Sequence, residues 1–300
     1  MLSLGVLGTA KNTGKTTTLN ALLKCLSEKS IAITSIGFDG EDLDHITGLP
    51  KPKVLVEEGN FVVTSEEAAK HSTARLHLLR RFDIRTALGS ICLYRVRQAG
   101  TVILVGPYSS EDLLTIKEVL EKDMVEVFLI DGAINRIVPF QHSDFVILAV
   151  GASRSTNLDF LLVETKVIVK ALRLPIDGKD RKFIEGLVSL EKLSFFRGER
   201  VLVESPMHLL LTEDFVRLEQ LLNDLDVAVV RRPELLCVTV NPCYPERRME
   251  GYTLARIDLS ELSKAIERKL NVPCLNVAQE EERLCKIVEE KIGKRGSKKT

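Results

Sequence analysis

The feature that most narrows the folds open to this chain is an alternation in its first half. Short apolar runs, several of them β-branched, end at glycine or aspartate and are separated by amphipathic segments. Residues 2–7 close at Gly8, 31–36 run into Gly37-Phe38-Asp39-Gly40, and 101–105 close at Gly106-Pro107. Residues 125–130 end at Asp131-Gly132, and 145–150 end at Gly151. Between them, residues 15–29 set Leu19, Leu22, Leu23 and Leu26 at helical spacing. Residues 110–122 turn Leu113, Leu114, Ile116 and Leu120 inward, and 157–174 run as a helix to Pro175. Near-continuous apolar strands separated by helices predict an α/β fold, a mostly parallel sheet with helices on both faces. Gly8, Asp39, Gly106, Asp131 and Gly151 would then gather on the carboxyl edge, where open sheets bind ligands. Residues 53–57 and 61–64, around Glu58-Gly59-Asn60, predict a hairpin. Residues 65–80 predict a helix capped by Ser65, with Glu66 and Glu67 in its first turn.

The second half is less regular. It reads as a loop over 177–180, a strand over 200–204, and a helix over 212–225 capped by Thr212. Strands follow at 227–230 and 235–240, the latter ending at Asn241-Pro242. A helix over 260–270, a short strand over 274–277 and a helix over 280–291 complete it. This pattern suits either an extension of the same sheet or a second small layer.

Composition excludes several classes. The 42 Lys and Arg balance the 42 Asp and Glu, so no bulk positive charge is present to hold nucleic acid or an anionic membrane. No apolar run approaches the ~20 residues that span a bilayer. The run over 2–7 has no basic residue ahead of it and does not read as a signal peptide. Cys25, Cys92, Cys237, Cys243, Cys274 and Cys285 form no CxxC pair. That predicts free thiols and a cytoplasmic protein. His45, His71, His77, His142 and His208 have no metal-ligand spacing, and neither a GxSxG elbow nor an HExxH helix is present.

The strongest local signal is Gly8-Thr9-Ala10-Lys11-Asn12-Thr13-Gly14-Lys15-Thr16-Thr17, between a strand and a helix. Backbone N–H groups in such a loop form an anion nest, and the following helix directs its positive end at a phosphate. Lys15 reaches the terminal phosphates and the Thr16 hydroxyl binds Mg²⁺. The usual form is GxxxxGK[ST]; here Thr9 takes the first glycine position and Gly8 stands one residue earlier. Asp131 closes Val127-Phe128-Leu129-Ile130 in the Walker B arrangement, suited to Mg²⁺. Asp39, at the end of the second strand, is a further candidate carboxylate, with Glu41, Asp42 and Asp44 after it. Arg136 and, more weakly, Arg85 suit bidentate contact with phosphate or a charged substrate. No Asn-Lys-x-Asp element reads guanine, which favours ATP.

Gly8-Thr9, four residues, then Gly14-Lys15-Thr16 resembles the phosphate loop of dethiobiotin synthetase and of the P-loop class that includes MinD, ParA and nitrogenase iron protein. The resemblance implies catalytic Lys15, Asp39 and Asp131. It implies nucleotide contacts from Gly8, Thr9, Asn12, Thr13, Gly14, Lys15, Thr16 and Thr17, and Mg²⁺ ligands Thr16, Asp39 and Asp131. A strand-ending Asn often contacts the base in that class, which points to Asn241. Many members carry a second lysine five residues before the main one, completing a site across a dimer. Here that position is Ala10, with Lys11 one residue nearer, so a homodimer is among the implied assemblies without its usual lysine. With residues 38–52 and 131–136, the loop is also similar to a P-loop subunit of the reactivating system for adenosylcobalamin-dependent aminomutases. The expected organisation is a nucleotide-binding core over 1–175, an α/β extension or second small domain over 176–293, and a basic tail over 294–300. The expected function is a regulatory or reactivating ATPase using ATP and Mg²⁺, with a B12-dependent aminomutase as implied partner. The alternatives are a dethiobiotin-synthetase-like ligase acting on a small acid and a non-catalytic nucleotide-binding subunit.

Overall fold

The structure is a computed structural model and describes residues 1–39, 53–249 and 251–296. The first stretch holds β1 (Leu2–Gly8), α1 (Lys15–Cys25), β2 (Ile31–Ser35) and β3 (Phe38–Asp39). Then come β4 (Val54–Val56), β5 (Phe61–Ser65), α2 (Glu66–Lys70), β6 (Arg75–Thr86), β7 (Gly89–Gln98), β8 (Gly100–Val102) and β9 (Leu104–Val105). The middle holds α3 (Ser110–Lys122), β10 (Val127–Ala133), β11 (Phe145–Gly151), α4 (Leu158–Leu172), β12 (Lys182–Ile184) and α5 (Leu190–Ser194). It continues with β13 (Arg200–Val203), α6 (Phe215–Asp224), β14 (Asp226–Val229) and β15 (Glu234–Asn241). The last part is β16 (Cys243–Arg248), β17 (Gly251–Arg256), α7 (Ser260–Leu270), β18 (Cys274–Leu275) and α8 (Glu281–Gly296).

Nine strands form one sheet in the order β18-β15-β11-β1-β10-β2-β5-β7-β6. All neighbours from β18 to β5 run parallel; β7 and β6 are antiparallel additions. Successive residues of each central strand face opposite sides, so both faces are apolar. Leu7, Phe128, Ile130, Val146 and Leu148 belong to one core, with Leu113 and Ile116 of α3, Leu161 and Ile168 of α4, and Leu262 and Ile266 of α7. Leu4, Val6, Val127, Leu129 and Ile147 belong to the other, with Leu19 and Leu22 of α1 and Leu284 and Val288 of α8. The α/β sheet with helices on both faces is therefore as expected. Phe140 sits beneath two glycines: a Cβ at Gly5 would lie 2.3 Å from its ring and one at Gly132 2.6 Å from it.

Beyond residue 175 the chain does two things. It builds a separate parallel sheet, β12-β13-β14, and it returns to the main sheet with β15 and β18. Four local expectations are corrected. Residues 53–64 are no hairpin: β4 pairs with β8, whereas β5 lies between β2 and β7. Their turn survives, with Asn60 N–H donating to Glu57 O at 3.2 Å. The helix capped by Ser65 ends at Lys70, and 75–86 are strand, because they pair along most of their length with 89–98. Residues 101–105 split into β8 and β9, outside the main sheet. Asp214, not Thr212, caps α6, accepting from Arg217 N–H at 2.9 Å. The thiols are also not all free. Cys25 at the end of α1 is bonded to Cys285 on α8, with their Cα atoms 5.2 Å apart. The expectation of a reducing, cytoplasmic setting loses that support. Among the described residues no helix is long and apolar enough to cross a membrane.

Candidate functional site

β1 ends at Gly8, and α1 begins at Lys15. The Lys15 side chain is buried, folded back along the loop, with Nζ 3.4 Å from the Ala10 carbonyl oxygen. The Thr13 hydroxyl donates to the same oxygen at 3.1 Å. Gly8 is what lets Lys15 lie there. A Cβ at Gly8 would stand 2.6 Å from Lys15 Cδ and 2.8 Å from Thr13 Oγ1. The displaced glycine of the motif thus has a steric reason. Thr9, in the usual glycine position, is buried and donates its N–H to Ala149 O at 3.1 Å.

Two neighbouring strand ends hold the loop from outside. Ser153, just past β11, donates from Oγ to Lys11 O at 2.8 Å. Asn241, the last residue of β15, donates from Nδ2 to Asn12 O at 2.8 Å. A peptide plane points its C=O and the following N–H in opposite directions. The N–H groups of Asn12 and Thr13 therefore point away from Ser153 and Asn241. Asn12 (φ 62°) and Gly14 (φ 93°) adopt left-handed backbone, which curls the chain into a concavity. At Gly14 any other residue would be strained, and its Cβ would meet Asn241 Cβ at 3.0 Å.

The start of α1 differs from most helices of this chain. Ser65, Ser109, Asn157, Ser189 and Asp214 cap α2 to α6 with side-chain acceptors. Gly14 offers α1 none, and no acidic residue stands in its first turn. The first amides of a helix lack intrahelical acceptors and carry its positive end. Here that end opens onto the loop, with Thr16 half-buried and Thr17 exposed.

Asp131 is buried in β10 and stands in register with Val6 of β1 and Ser35 of β2, two residues before the level of Gly8. It thus lies close behind the loop on the same edge. The backbone of Asp39 pairs across from Leu104. Glu41, Asp42, Asp44 and the rest of residues 40–52 lie outside the described residues. Arg136 donates from Nη1 to Ile36 O at 3.3 Å and covers Gly37, fastening the turn after β2. Arg85 is not brought to the loop, because β6 is the far strand of the sheet. Lys11 is exposed.

Val240 and Pro242, the chain neighbours of Asn241, line a cleft of about 380 Å³ together with Leu259, Ser263, Asn276 and Arg283. Beyond Ser153, Arg154 Nε meets the buried Glu164 carboxylate at 2.9 Å, and Arg154 Nη2 meets Glu213 at 3.1 Å. Burial pushes the Glu164 carboxyl up from the ordinary glutamate value, and the Arg154 charge opposes that shift. Ser153 and Arg154 were not anticipated as parts of the site, although Gly151 was expected on this edge. Only the strand ending at Gly151 pointed to them. Among the described residues no three His, Cys, Asp or Glu side chains form a metal cage. No protein-family model, curated protein or solved structure matches the chain.

Proposed function

We propose that this chain is a Mg²⁺-dependent, ATP-binding and ATP-hydrolysing protein of the P-loop type, related to the MinD, ParA and dethiobiotin synthetase class. Its role is that of a regulatory or reactivating ATPase on a partner enzyme, and the partner suggested by the resemblance is a B12-dependent aminomutase. The single observation that carries the reading is the uncapped, acid-free start of α1 at the concave loop, with Lys15 folded in beside it. Such a site suits a polyphosphate, whose oxygens take the amides and the ammonium. Lys15 would leave the Ala10 carbonyl to meet the terminal phosphates. Thr16, Asp131 and Asp39 are the oxygens proposed for Mg²⁺. Magnesium needs only one or two carboxylates beside phosphate and water, so the lack of a three-carboxylate cage is compatible with it. Mg²⁺ supplies neutralisation of charge on the transferring phosphoryl group. Asn241, already tied to the loop, is proposed for the base, with the adjoining cleft.

The partner reading is favoured over a ligase acting on a small acid by β16–β17. This ribbon leaves the sheet directly after Asn241, pairs with no other strand among the described residues, and exposes Arg247, Arg248, Met249 and Leu254. Turnover of ATP by the purified protein with Mg²⁺ is the test. Lys15→Ala is expected to lower it by on the order of 10²-fold or more, with an unchanged thermal melt. ATP is expected to outcompete GTP for binding. Equal turnover by the variant would sink the nucleotide reading, and tighter GTP binding would reverse the base assignment.

A further inference from the structure

The chain is neutral overall, yet one hairpin is not. β6 and β7 carry Arg75, Arg80, Arg81, Arg85, Arg95 and Arg97 against Asp83 as the only acid, with no lysine. Cross-strand partners share a face of a sheet. Arg95 stands opposite Phe61 of β5 and His77 of β6, and Arg80 stands opposite Leu93. Arg97 is two residues on from Arg95, so His77, Arg80, Arg95 and Arg97 lie on one face. All four are exposed, and among the described residues none forms an ion pair. Arg95 is propped on the Phe61 ring, 4.9 Å from its centroid, which fixes its direction. Beside Arg80, where the β6 register shifts, Leu79 is 44% exposed.

We propose that this face of the β6–β7 hairpin docks an acidic, extended protein segment, its carboxylates paired with these arginines and an apolar side chain set on Leu79. Charge complementarity and spacing favour this occupant. Arg95 and Arg97 recur at two residues, about 7 Å apart, which is the spacing of alternate side chains along an extended peptide. Guanidinium groups without lysines suit bidentate capture of carboxylates. A second copy of the chain is disfavoured, because two such faces would oppose like charges. Strand addition at the β6 edge is disfavoured by its register shifts and flanking charges, the usual devices against edge pairing. A nucleic acid is disfavoured because four side chains on one short face would neutralise few phosphates. The inference is independent of the nucleotide reading.

The test is fluorescence anisotropy at about 0.15 M salt with three labelled probes: an alternating Glu-Val 12-residue peptide, the same peptide with Gln for Glu, and a 20-base single-stranded DNA. The acidic peptide is expected to bind saturably and the Gln peptide at least tenfold more weakly. Arg80→Glu with Arg97→Glu should weaken the acidic peptide at least tenfold while the thermal melt is kept. Should that variant fail to fold, Arg80→Gln with Arg97→Gln serves the same comparison. No saturable binding, equal binding of the Gln peptide, tighter binding of the DNA, or indifference to the substitutions overturns the proposal.

Discussion

A methyl group added at Gly8 would lie within 2.6–2.8 Å of the Lys15 stem and the Thr13 hydroxyl, so Lys15 would have to leave its seat. Gly8→Ala is expected to weaken ATP binding by about tenfold and to cost roughly 1–3 kcal/mol from overpacking. Isothermal titration and thermal melts check both, and unchanged affinity would mean the seat is irrelevant to binding. Arg154 gives a second test at this scale. Replacing it with Met leaves Glu164 buried without its counter-charge, and its carboxyl rises further above the ordinary value of 4.5. The folded variant then keeps a proton that the unfolded chain gives up. Its stability must therefore fall as pH rises from near 4.5 through the raised value. The expected deficit against the parent is roughly 3–5 kcal/mol at neutral pH and shrinks toward pH 5 in denaturant melts. A deficit flat with pH would show that Glu164 is not the titrating group. Lys15, Asp131 and Asn241 were legible in the sequence because they sit at strand ends or in a spaced motif. Ser153 was not, since a serine after Gly151-Ala152 carries no pattern.

Among the elements, the β16–β17 ribbon stands outside the main sheet, its two strands paired with each other. An isolated two-stranded ribbon is marginal in water, and here no residue of either strand is buried. Reversing charge with Arg247→Glu and Arg248→Glu is expected to leave basal nucleotide binding and melting intact. It should reduce stimulation of ATP turnover by the partner enzyme at least fivefold in a coupled phosphate-release assay. Loss of nucleotide binding, or no effect on stimulation, would assign the ribbon a purely structural part. This ribbon and the β6–β7 hairpin escaped sequence reading for a shared reason. Neither shows clean alternation: β6 has shifts of register, and β16–β17 buries no face. By contrast, α3, α4 and α7 were legible almost to the residue, because one apolar stripe on each meets the sheet. Residues 53–64 were misread because a tight turn does not say whether its flanking strands pair with each other or with others.

At the scale of the whole molecule, the Cys25–Cys285 bond joins positions 260 residues apart and ties α1 to α8. Lys24 and Glu281 form an ion pair beside it at 3.3 Å. Closing so long a loop restricts the unfolded chain more than the folded one, a contribution of about 2–4 kcal/mol. Cys285→Ser, or reduction of the parent, is expected to lower the melting temperature by several degrees without altering the fold. Identical melts with and without reductant would show that the bond does not form in solution.

The same bond changes how the molecule would bear a mechanical load. Tension applied between the two ends would pass through Cys25 and Cys285 and bypass everything between them. Only the stretches outside the ring could lengthen. On one side that stretch is β1, the Gly8–Lys15 loop and α1, and β1 is clamped between β10 and β11 along its length. A pull would load those two ladders. When they gave way, the Gly8–Lys15 loop would leave Ser153 and Asn241 behind, while the covalent ring stayed closed.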